Sequence, residues 1–128
     1  VDSGAIRRRL ALGLAVLTAS GLLAVASPGH AQADDPCSGR QVRTLSFATG
    51  SVRVYKRDGF VCAVTVARNT FGRKAMSVSV QARGSRPVAD SGQFTYHAGP
   101  VVVHAGHRCV WIRGSVGSGS VSSGWIMC

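Results

Sequence analysis

The side chains with the widest chemical reach in this sequence are the three histidines beyond residue 33, His97, His104 and His107. Two histidines and an arginine can make a ribonuclease-like acid–base pair, and a His-x2-His spacing with a third histidine seven residues upstream hints at a metal site. On a strand, residues three apart point to opposite faces, so His104 and His107 converge only if Ala105 and Gly106 turn the chain. Carboxylates able to assist are scarce. The sequence has no glutamate, and beyond residue 33 it offers only Asp34, Asp35, Asp58 and Asp90. Asp58-Gly59 and Asp90-Ser91-Gly92 read as turns, where a short acidic side chain bonds its own backbone. No Gly-x-Ser-x-Gly nucleophile elbow is present. The expectation is a protein with no catalytic residue, no metal and no cofactor, and a small secreted hydrolase such as a ribonuclease is the last of three readings.

The four cysteines, Cys37, Cys62, Cys109 and Cys128, are separated by 25, 47 and 19 positions and include no Cys-x2-Cys pair. Those spacings do not suit zinc knuckles, whereas an even number of cysteines in a small exported chain suits two disulfides. Spacing alone leaves three connectivities open. Closing loops of this size stabilises a small domain by roughly 3 kcal/mol each.

Export is read from the N-terminus. Arg7, Arg8 and Arg9 precede an uncharged apolar run of 17 residues, 10–26, then Pro28-Gly29 and the small triplet Ala31-Gln32-Ala33. This is the pattern of a secretory signal peptide, residues 1–33, with cleavage after Ala33. The run falls short of the roughly 20 residues a membrane helix needs. A secreted, extracellular mature chain of residues 34–128 without a transmembrane segment is expected. It carries twelve Lys and Arg against four Asp, so it stays strongly basic.

Six of the seven leucines lie in the first 23 residues, and the mature part is instead rich in valine, with 15, and in glycine and serine, with 12 each. Branching at Cβ favours the pleated surface of strands. In 76–82, Val78, Val80 and Ala82 share one face while Ser77, Ser79 and Gln81 share the other, a half-buried strand. Residues 60–67 are apolar on both faces and read as the most buried strand. Turn signals at Thr49-Gly50, Asp58-Gly59, 69–72, 84–87, Gly99-Pro100, Ala105-Gly106 and 114–124 separate seven or eight strands, near 41–47, 51–56, 60–68, 75–82, 93–97, 101–104, 108–113 and 121–127. The fold class is all-β: one small antiparallel β-sandwich or barrel with two disulfides. A last strand returning beside 108–113 brings Cys109 toward Cys128, and a meander of the first strands brings Cys37 toward Cys62. Trp111, sharing a face with Cys109, is expected in the core.

The strand order also says where the cations gather. If the first four strands form an uninterrupted meander, the start of the first strand, the turn 57–59 and a loop 83–92 lie at one end. That end collects Arg40, Lys56, Arg57, Arg83 and Arg86, opposed by Asp58 and Asp90, and it would draw an anionic partner. For an exported chain the candidates are cell-wall polymers, anionic lipid surfaces or an acidic protein face, with nucleic acid not expected. An edge strand or the segment before Arg43 offers another mode, adding to a partner's sheet.

The stretches Phe60-Val-Cys-Ala-Val-Thr-Val66, Asp90-Ser-Gly-Gln-Phe-Thr-Tyr-His-Ala-Gly-Pro-Val-Val102 in outline, and Gly106-His-Arg-Cys-Val110 resemble small exported actinobacterial proteins of the spore-associated protein A type. This sequence has Tyr96-His97 where that family has a double aromatic. The resemblance implies an extracellular or surface-associated protein with no assigned catalytic residues. The leading expectation is therefore a secreted, non-catalytic binding protein of a cell or spore surface, or an adaptor subunit of an extracellular protein assembly. The alternative is a cationic antimicrobial or inhibitory effector that binds anionic surfaces.

Overall fold

Valine-rich segments broken by glycine turns become eight antiparallel strands in the computed structural model, which describes residues 37–128. The expected signal peptide, 1–33, lies outside the described residues. The strands are β1 (Arg40–Phe47), β2 (Gly50–Arg57), β3 (Phe60–Ala67), β4 (Lys74–Ala82), β5 (Val88–Phe94), β6 (His97–His104), β7 (Val110–Val116) and β8 (Gly119–Ile126). They form two four-stranded sheets, ordered β1-β2-β3-β6 and β5-β4-β7-β8. Cys37 is bridged to Cys62 and Cys109 to Cys128.

The core is made by period-two alternation. Val52 and Val54 of β2 and Val61 and Ala63 of β3 face Met76, Val78 and Val80 of β4 and Val110, Ile112 and Val116 of β7, all buried. Two valine faces of this kind leave water together by stacking as a sandwich. Gly114 lets the sheets close: a Cβ there would overlap Val52 Cγ2 and stand 2.6 Å from Thr65 Oγ1. β3 is buried on both sides, because a second cluster of Cys37, Tyr55, Cys62 and Val64 covers its other face.

Five expectations are corrected. The meander stops at three strands: β4 crosses to the facing sheet, and β6 takes the place beside β3. From the facing sheet β4 buries Met76, Val78 and Val80 against Val52, Val54 and Ala63, while Ala98 and Val101 of β6 fill the core position beside β3. The loop 83–92 shrinks to 83–87, because β5 spans Val88–Phe94 rather than 93–97. Asp90 therefore sits in mid-strand opposite Val78, and its Oδ2 accepts a hydrogen bond from Gly99 N, 2.8 Å away across the sandwich edge, rather than closing a turn of its own. Gly99-Pro100, read as a turn, lies inside β6. Finally, Trp111 faces outward, since Val110 and Ile112 take the two neighbouring core positions of β7.

Candidate functional site

The end of the sandwich that holds both disulfides is assembled from three connections. Asp58 and Gly59 form a two-residue turn between β2 and β3 with φ of 50° and 84°. Left-handed geometry at both central positions matches the right-handed twist of the hairpin, and Asp-Gly is a favoured pair for it. The Gly59 carbonyl accepts from Ala105 N at 2.9 Å and Gly106 N at 3.0 Å, which fastens the turn to the loop 105–109 between β6 and β7. Arg108 ties in the third connection, 83–87. It donates from Nη2 to His104 O at 2.7 Å, from Nε to Ala105 O at 3.1 Å, and from Nη1 to Arg83 O at 3.3 Å and Ser85 Oγ at 3.0 Å. Arg83 N bonds Cys109 O at 2.9 Å.

The five cations expected to gather are all on this end, but in two groups. Arg40, Lys56 and Arg57 border an open hollow of about 480 Å³ together with Gly39 and Asp58. Arg83 and Arg86 stand on the 83–87 connection, across the 105–109 loop. Gly39, at φ 102°, brings the chain so close to β2 that a Cβ would meet Lys56 O at 2.5 Å, which is how the start of β1 is held beside Lys56 and Arg57. Asp58 is the one carboxylate side chain at this end among the described residues, since Asp90 has moved into β5. Its contact with Arg57 is long, 3.9 Å, between side chains 65% and 89% exposed. A pair in that much water contributes little.

Sequence reading missed Arg108, whose role comes from loop geometry and not from spacing. It also missed a ladder on the outer face of the second sheet. Trp111 and Trp125 meet edge to face with centroids 5.3 Å apart, Arg83 Cζ stands 5.5 Å from the Trp125 ring centroid, and Arg113 Cζ stands 5.2 Å from that of Trp111. Trp111 Nε1 donates to Ser122 Oγ at 2.7 Å. The alternation of β7 and β8 carried the signal for this pair, and the pull of the nearby cysteine obscured it.

His97 stands apart from the other two histidines, while His104 and His107 lie at one end on either side of the turn at Ala105-Gly106. His97 and His104 stand at opposite ends of β6, eight residues long, so roughly 23 Å of strand separates them. The His104 ring packs edge-on to Phe60, 4.9 Å between centroids. Among the described residues no three of His, Cys and Asp lie close enough to hold a metal ion. Strand β1, the sheet edge nearest the N-terminal segment, carries Arg40, Arg43 and a bulge between Gln41 and Arg43, features that discourage strand addition. No family model matches the chain, and neither the curated proteins nor the solved structures contain a match to it.

Proposed function

We propose that this chain is a secreted, non-catalytic binding protein that engages an anionic polymer of a cell surface through the disulfide-bearing end of its sandwich. One observation carries the reading: among the described residues, Arg40, Lys56, Arg57, Arg83, Arg86 and Arg108 share that end with one solvated carboxylate side chain, Asp58. Such an excess sets up a positive potential that concentrates polyanions and speeds their encounter. His97 lies a strand's length from His104, and the two carboxylate side chains among the described residues, Asp58 and Asp90, lie apart, which favours recognition over turnover. Surface association is also what the resemblance to spore-associated proteins implies.

The test is retention on an anionic polysaccharide matrix. The oxidised protein is expected to bind at low salt and to elute steeply as salt rises, because exposed charges are screened within about 8 Å at physiological ionic strength. Arg40→Ala, Arg57→Ala and Arg86→Ala together should lower the eluting salt concentration severalfold without loss of the fold, since these side chains are exposed. Arg108 is spared because it braces the loops. Retention that ignores salt, or that survives the triple substitution unchanged, overturns the reading.

A further inference from the structure

The opposite end of the sandwich presents a different chemistry. There the β3–β4 connection, 68–73, holds Arg68, Asn69, Thr70, Phe71, Gly72 and Arg73. Asn69 Oδ1 accepts a hydrogen bond from Phe71 N at 2.8 Å, and Gly72 adopts φ 68°, so the loop turns sharply and presents Phe71 at its tip. Phe71 is 86% exposed. The neighbouring turn between β5 and β6 presents Tyr96, 63% exposed.

The two tips are braced as one unit. Ala67 N donates to Tyr96 O at 2.9 Å, Lys74 Nζ donates to Gly72 O at 2.9 Å and Thr95 O at 3.0 Å, and Arg73 Nη2 donates to Gln93 O at 3.1 Å. Arg68 is held from behind by Phe47 O at 3.1 Å. Three cations thus ring two outward aromatics. Of the two carboxylate side chains among the described residues, Asp58 is at the other end and Asp90 lies back along β5, bonded to Gly99 N.

We propose that this end is a membrane-docking surface, whose occupant is a bilayer containing anionic lipid. Aromatic rings on loop tips bury their apolar area in a medium that closes around them, and the headgroup–acyl boundary is such a medium. Tyr96 suits that boundary, with an apolar ring and a polar hydroxyl. Arg68, Arg73 and Lys74 would then lie at the depth of lipid phosphates, where each basic residue adds to the attraction. The proposal concerns other residues and another ligand than the polymer-binding reading, and either can fail alone.

Vesicle co-sedimentation decides it. The oxidised protein is expected to partition onto vesicles of mixed phosphatidylglycerol and phosphatidylcholine and not onto pure phosphatidylcholine. Phe71→Ala with Tyr96→Ala should weaken that partitioning about tenfold or more, from lost apolar burial. Arg73→Gln should weaken it severalfold. The aromatic double variant should keep its unfolding temperature and its salt-dependent retention on the polysaccharide matrix. The proposal is overturned if the protein ignores anionic vesicles. It is equally overturned if the double variant partitions as the unsubstituted protein does, or if vesicle binding is abolished by the Arg40, Arg57 and Arg86 substitutions and not by loss of the aromatics.

Discussion

Thr65 shows how tightly single residues are constrained between the two sheets. It is fully buried, and its Oγ1 has no hydrogen-bond partner among the described residues. A buried hydroxyl left unpaired costs about 1–3 kcal/mol relative to an apolar group of the same shape. Thr65→Val is therefore expected to raise unfolding stability by about 1 kcal/mol, measured as a higher urea midpoint at constant slope. Gly114 faces the same spot and gives the opposite result. Gly114→Ala drives a methyl into Val52 and toward Thr65, and should cost at least about 1–3 kcal/mol. A pair of changes a few ångströms apart with opposite signs separates the packing term from the polar term.

At the scale of elements, the outer face of β7 and β8 makes a self-contained unit. Each indole is covered on one side by a guanidinium and touches the other indole edge to face. A double-mutant cycle on Trp111→Leu and Trp125→Leu should give a coupling of about 0.5–1.5 kcal/mol, read from thermal or denaturant unfolding. No coupling would mean that the rings touch without supporting each other. Strands β3 and β4 were legible in the sequence, since alternation in 76–82 and continuous burial in 60–67 follow directly from valine spacing, whereas β5, with few apolar residues, was placed at 93–97 instead of Val88–Phe94. So were both disulfides, because the hairpins that join them are local. The gathering of Arg40, Lys56, Arg57, Arg83 and Arg86 at one end was legible too, although the premise behind it was not sound. An even number of strand reversals puts those residues at the same end whether β4 stays in the first sheet or crosses to the second. The split of the cations into two groups was illegible, because it depends on which sheet each connection leaves. Asp90 was misread since a Ser-Gly pair after an aspartate marks a turn locally, while the partner that claims its carboxylate, Gly99, lies on another strand.

For the whole molecule, twelve Lys and Arg against two Asp among residues 37–128 leave the sandwich strongly cationic. What differs is the company those charges keep. Eight-residue strands hold the two ends roughly 25 Å apart. That is about three screening lengths at physiological salt, so the ends act as separate charges. The covalent links are distributed just as unevenly. Cys37–Cys62 closes a ring before the exposed 68–73 crossover and Cys109–Cys128 closes one after it, so neither spans the crossover. A protease cutting after Arg68 or Arg73 would therefore sever the last peptide thread between two halves. The halves should stay associated in native buffer, because β6 from the second remains zipped to β3 of the first. In denaturing electrophoresis without reductant, the clipped molecule should fall into two pieces.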